Sequence, residues 1–129
     1  MANTTKSASK LKLLYAEGDP EILATQSVTI EKAGHHVTPA EGRKQVLETL
    51  RRETFDLVIL GATLSKNDRH HLAYMVKKAQ PAARVLVTHT DGEGHPAVDA
   101  TLETGRSMNA LLEKIAAMYP QAAGAASGK

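Results

Sequence analysis

The run Phe55-Asp56-Leu57-Val58-Ile59-Leu60, closed by Gly61, constrains this chain more than any other stretch. It is nearly continuous in apolar residues, and too short for a self-sufficient helix. It therefore reads as a strand buried on both faces, the environment of a central strand in a parallel sheet. Parallel neighbours need crossover connections, usually helical. The sequence on either side supplies the matching segments.

Residues 11–16 read as a first strand. Asp19-Pro20-Glu21 then opens a helix, with Asp19 as the cap and Pro20 at the first helical position. That helix is expected to run to about Ala33 and stop at Gly34, which suits a left-handed cap. Residues 36–39 form a short second strand, and residues 41–54 a helix with Val46, Leu47 and Leu50 on one face. A third helix is expected over residues 68–80, with Leu72, Met75, Val76 and Ala79 toward the sheet and Pro81 ending it. Residues 84–88 and 99–103 read as strands four and five. A last helix follows, with Ser107 as N-cap and Met108, Leu111, Leu112, Ile115 and Met118 on one stripe.

Alternating strands and helices predict a doubly wound α/β domain with helices on both faces of a parallel sheet. One connection breaks the pattern. Thr90-Asp91-Gly92-Glu93-Gly94-His95-Pro96 has two glycines and a proline and cannot hold a full helix. Strand five fits this. Asp99, Thr101 and Glu103 alternate with Ala100 and Leu102, so one face of the strand is expected to meet solvent.

Composition sets outer bounds. At 129 residues the chain suits one domain, here residues 11–119, with small, polar segments 1–10 and 120–129 expected to be disordered tails. The absence of Cys removes disulfides and thiolate metal sites and fits a reducing cytosol. No apolar run is long enough for a membrane span or a signal peptide, so a cytoplasmic location is expected. The net charge is only +2, its Lys and Arg read as dispersed among acids, and aromatics are 3%, so no nucleic-acid partner is expected. His35-His36 and His70-His71 are adjacent pairs whose rings diverge, and with His89 and His95 they predict no converging metal site. No nucleophile–base pair, flavin loop or dinucleotide fingerprint is present.

Three stretches carry a resemblance: Leu13-Leu14-Tyr15-Ala16-Glu17-Gly18-Asp19-Pro20-Glu21-Ile22-Leu23, residues 55–69, and residues 99–115. Over residues 11–118 the chain resembles the receiver (CheY-like) domain of response regulators. The resemblance implies a single flavodoxin-like five-stranded sheet of order 2-1-3-4-5, with the fourth helix shortened or missing. The departures fall on the family's functional positions. Its two magnesium-holding acids correspond to Glu17 and Gly18, and its phosphoacceptor aspartate to Gly61. Its switch hydroxyl corresponds to His89, with Thr88 and Thr90 on either side. Its lysine–proline pair corresponds to Thr104-Gly105.

Phosphoryl transfer needs a nucleophilic oxygen, which Gly61 lacks. Glu17 alone is a poor magnesium cage, and Thr104 offers no ammonium. What the resemblance implies is therefore a degenerate pseudo-receiver in a two-component phosphorelay. It would be no enzyme, bind no Mg²⁺ or other cofactor, and act as a phosphorylation-independent protein-interaction module. The partner would be another signalling protein: a kinase, regulator or output domain. A homodimer is allowed but not required. The candidate partner face is Asp91, His95, Arg106 and Asn109. An alternative is a sensor of a small ligand or anion in the vacated space lined by Ala16, Gly18, Gly61 and His89. Glu17 itself reads either as a surface carboxylate or as a ligand for a partner's cation.

Overall fold

A computed structural model describes the protein at residues 11–88, 97–102 and 108–119. In chain order these form β1 (Lys12–Glu17), α1 (Pro20–Lys32), β2 (His36–Glu41), α2 (Gly42–Arg52), β3 (Leu57–Leu60), α3 (Lys66–Ala79), β4 (Arg84–Val87), β5 (Ala100–Thr101) and α4 (Met108–Met118). The five strands make one sheet of order β2-β1-β3-β4-β5, with every pairing parallel. This is the flavodoxin-like topology expected from the sequence. The two terminal segments, the 89–96 connection and the Ser107 cap lie outside the described residues.

The pleat of β1 divides the core. Leu14 and Ala16 join Val58, Leu60, Val85 and Val87 beneath α2 and α3. Leu13 and Tyr15 join Leu57, Ile59 and Leu86 beneath α1 and α4. All four residues of β3 are fully buried, as a strand covered on both sides must be. Its first two expected residues, Phe55 and Asp56, precede the ladder. Asp56 is exposed and turns its carboxylate to accept from Lys12 N at 2.9 Å.

Helix starts follow local chemistry. Asp19 accepts from Glu21 N and Ile22 N, and Gly34 takes φ +107° just past the end of α1. α3 begins two residues earlier than expected, because Ser65 caps it by accepting from Asp68 N at 3.1 Å. Its buried stripe is Arg69, Leu72, Ala73 and Val76. Met75 is half-buried and Ala79 is exposed, so the expected stripe was rotated by about one position. β2 continues through Pro39 to Glu41. It is an edge strand, where a proline's missing N–H costs no ladder bond.

β5 is only two residues long, shorter than the sequence implied. Asp99 and Thr101 are exposed, whereas Ala100 and Leu102 pack against the α1–α4 side. The expected alternation is therefore present from 99 to 102, and Glu103 lies outside the described residues. Asp99 reinforces the short ladder, since its Oδ2 accepts from Val85 N at 2.8 Å and pairs with Lys77 Nζ at 2.7 Å.

His35 gives the fold a pH dependence. Its Nδ1 accepts the Leu11 N–H at 3.2 Å, and burial lowers its pKa below the ordinary value of 6.5. The unfolded chain then binds the proton more readily. Stability is complete above the unfolded pKa and falls as pH drops through it toward the folded value. Urea melts on either side of about 6.5 should show this slope, and His35→Gln should flatten it.

Candidate functional site

β1 and β3 end side by side where the strand order reverses, the crevice in which α/β sheets of this kind place their function. Their parallel register runs from Leu13 opposite Leu57 to Ala16 opposite Leu60, and Gly61 N donates to Ala16 O at 2.8 Å. Glu17 and Gly61 are thus the next pair along. They lie on the sheet face shared by Tyr15 and Ile59.

Glu17 is 2% exposed. Its Oε1 accepts from Thr63 N at 3.0 Å and from Thr63 Oγ1 at 2.6 Å, and its Oε2 accepts from the Tyr15 hydroxyl. The Tyr15 hydroxyl also meets Gln26 Oε1. Burial, followed by the hydrogen bond and charge of Glu17, pushes the Tyr15 phenol above its usual range, so it remains a proton donor. Thr63 Oγ1 in turn accepts from Gly18 N at 2.8 Å and Asp19 N at 3.0 Å. One hydroxyl therefore joins the turn after β1 to the loop after β3. Buried Arg69 holds that loop from below, its Nη1 donating to Leu64 O at 2.5 Å and Ala62 O at 3.5 Å.

Two glycines make this arrangement fit. A Cβ on Gly61 would overlap Cδ, Oε1 and Oε2 of Glu17. The carboxylate occupies the volume that a side chain at 61 would fill. A Cβ on Gly18 would overlap Thr63 O and lie 3.2 Å from Thr63 C. The turn and the loop are in contact only because position 18 has no side chain.

Two expectations change here. Glu17 is not a surface carboxylate or a ligand for a partner's cation, because it is buried with both oxygens engaged. Of the space expected beside Ala16, Gly18, Gly61 and His89, the part above Gly61 is taken by Glu17 from the neighbouring strand, and the His89 side lies outside the described residues. Of the residues singled out from sequence, the structure brings Glu17, Gly18 and Gly61 together and places Asn109 exposed in the first turn of α4. His89, Thr104, Asp91, His95 and Arg106 lie outside the described residues. Sequence reasoning missed Tyr15 and Thr63. Tyr15 had a usable signal, since residues two apart on a strand share a face. Thr63 had none, because its role depends on how two separate connections meet.

Magnesium, which the receiver family holds at this place, does not fit the residues present. Gly18 contributes no oxygen, and the Glu17 carboxylate is committed to Thr63 and Tyr15, whereas the ion wants several free oxygens in octahedral order. Among the described residues, no three His, Asp or Glu side chains are grouped to hold a metal ion. No helix among them is long and apolar enough to cross a membrane.

Comparison with solved structures bears on the fold. A two-component response regulator from Clostridium difficile superposes with a TM-score of 0.73 at 17% identity, covering 85% of this chain and 96% of that one. A CheY-like receiver domain from Methanospirillum hungatei gives 0.73 at 20% identity, covering 87% and 95%. The fold is that of a response-regulator receiver domain. TrrA of Thermotoga maritima, solved with Mg²⁺ and beryllium fluoride, shares this receiver fold with a TM-score of 0.71 at 19% identity, covering 83% and 97%. No family model matches the sequence. A gliding motility regulatory protein of Myxococcus xanthus is 26% identical over 80 residues, which are 62% of this chain and 10% of that protein. The chain thus spans about a tenth of the length of the curated relative it matches.

Proposed function

We propose that this chain is a pseudo-receiver: a module of two-component signal transduction that acts through protein contacts and accepts no phosphoryl group. The observation that carries the reading is the Glu17 carboxylate filling the volume above Gly61. At the position the receiver family gives its phosphoacceptor aspartate, this chain has no side chain, and the Glu17 carboxylate takes the volume one would begin in.

The chemistry of the remaining oxygens supports the same reading. An acceptor must present a free lone pair to an incoming phosphorus in line with its leaving group. Glu17 is the carboxylate at this point, and it is buried beneath Thr63 with both oxygens hydrogen-bonded. The position that would supply the second magnesium acid is Gly18, pressed against the Thr63 carbonyl. Without acceptor or metal, the charge change that biases a receiver between two arrangements has no place to act. Binding of a partner is then what engages the module. We assign that role to another signalling protein, with Asn109 on α4 and the segments bearing Asp91, His95 and Arg106 as its candidate face. The 26% identity to part of a motility regulator supports a signalling context.

The test is direct. The full chain is incubated with acetyl phosphate and magnesium, and its intact mass is followed. The melting temperature is measured separately with magnesium and beryllium fluoride. No phosphoryl adduct and no rise in melting temperature are expected. A ligand present at a hundredfold excess over its dissociation constant would stabilise the fold by about 2.7 kcal/mol. A rise of that size, or a stoichiometric adduct on any carboxylate of the crevice, would refute the reading.

A further inference from the structure

Folding sorts the charge that the sequence leaves interspersed. α2 and α3 lie side by side on one face of the sheet. Their starts are joined by Arg43 to Asp68 at 3.6 Å, and their ends by Gln80 Nε2 donating to the Leu50 and Glu53 carbonyls. Together the two helices carry eight Lys and Arg against Glu48 and Asp68. That is a formal +6 in a chain whose total is +2, which leaves −4 for the rest. Arg69 is buried and Lys77 is bound to Asp99, so neither adds much outside. Arg43, Lys44, Arg51, Arg52 and Lys78 are all exposed. The opposite layer differs: α1 and α4 carry Glu21, Glu31 and Glu113 against Lys32 and Lys114, a formal −1.

The basic layer also holds the most exposed large hydrophobic side chain among the described residues. Tyr74 on α3 is 55% exposed, and the Lys78 ammonium sits 6.0 Å from its ring. An exposed tyrosine is an interface-anchor residue type, and Arg51 and Arg52, of the other enriched type, are exposed on the adjoining helix. Glu48 decides between classes of anion. It lies one turn from Lys44 and from Arg51 and Arg52 on α2, so it would repel an unbroken row of phosphates. A polypeptide presenting separate carboxylates avoids that repulsion.

We infer that the α2–α3 face docks an acidic protein segment, its carboxylates paired with Lys44, Arg51, Arg52 and Lys78 around Tyr74. This surface is separate from the Gly61 crevice and from the candidate face on α4, and it stands whether or not the chain accepts phosphate. Such an interface draws its association rate and specificity from charge and weakens with salt.

The experiment titrates the isotope-labelled full chain with a short helical peptide of Glu, Ala and Leu. Amide shifts should concentrate on α2 and α3, and affinity should fall as salt rises. The triple reversal K44E/R51E/K78E should weaken binding roughly tenfold or more, while Lys32→Glu on α1 should leave it within about twofold. Tyr74→Ala, which changes no charge, should cost severalfold. All five side chains are exposed, so the variants should melt like the parent chain. Four results would overturn the inference: no peptide binding, shifts confined to other elements, equal loss in the Lys32 control, or tighter binding of a single-stranded oligonucleotide or phosphatidylglycerol vesicles to this face. Doubling of the sedimentation mass with loss of the peptide effect would assign the face to a second copy and would equally overturn it.

Discussion

Gly61→Asp is expected to destabilise the fold by about 3–5 kcal/mol, rather than to recreate a working acceptor. The new Cβ would overlap the Glu17 carboxyl group, so Glu17 must leave its place. Leaving breaks its bonds to Thr63 N, Thr63 Oγ1 and the Tyr15 hydroxyl. Hydrogen bonds to charged groups contribute about 1.5–3 kcal/mol each, and the Tyr15 phenol is left with Gln26 Oε1 as its remaining acceptor. A second carboxylate in the same crevice adds like-charge repulsion. For a domain of this size, the melting temperature should fall by roughly 3–5 °C for each kcal/mol lost.

The cause can be isolated with a double-mutant cycle. Glu17→Ala alone should destabilise, because it removes the acceptor of Thr63 N and Thr63 Oγ1 and one of the two partners of the Tyr15 hydroxyl. In the Gly61→Asp background the same change should stabilise, because it vacates the volume the new side chain needs. A coupling of about 2 kcal/mol between the two sites is expected from urea denaturation of the four proteins. If Gly61→Asp melts within about 1 kcal/mol of the parent, or if Glu17→Ala fails to improve it, the occupied-crevice account is wrong.

The fold was largely legible in the sequence because each element announces its own burial. The apolar run at 57–60 demanded two covered faces, and the 111–115 stripe demanded one. Asp19 and Gly34 marked the two ends of α1 through local backbone chemistry alone. The errors lay where a boundary depends on a neighbour. Ser65 could have been found from its spacing to Asp68, a capping pattern overlooked beside the apolar residues. The extension of β2 past Pro39 could not, since it follows from six residues of pairing with β1. Of the candidate site, Gly18 and Gly61 were legible as side chains missing from a familiar pattern. What stands in their place was not. A missing side chain suggests a hole, but close packing fills holes, and only the β1–β3 register shows that Glu17 is within reach. The charge of α2 and α3 was hidden in the same way, because residues 43–52 and 66–78 are far apart in sequence and adjacent in the folded layer.

Gly18→Asp, which would return a second acid to the crevice, is expected to cost about 2–4 kcal/mol and to gain no magnesium affinity. Its Cβ would overlap a backbone oxygen, Thr63 O, and a main-chain atom cannot swing aside as a side-chain tip can. The loop has little freedom to retreat. Thr63 is held to Glu17 through both its N–H and its hydroxyl, and Arg69 grips the carbonyls of Ala62 and Leu64. If the loop does move, Thr63 Oγ1 no longer receives the Gly18 and Asp19 N–H groups, and the first turn of α1 loses part of its support. Gly18→Ala separates shape from charge, since it carries the same Cβ clash without a carboxylate. It should account for at least half of the loss seen with Asp. Denaturation of both variants with and without magnesium reads all three terms. If Gly18→Ala is neutral while Gly18→Asp is destabilising, charge repulsion from Glu17 is the dominant force. If Gly18→Asp is stabilised by magnesium, Glu17 can be drawn away from Thr63 and Tyr15 after all, and the crevice is a metal site needing only one further acid.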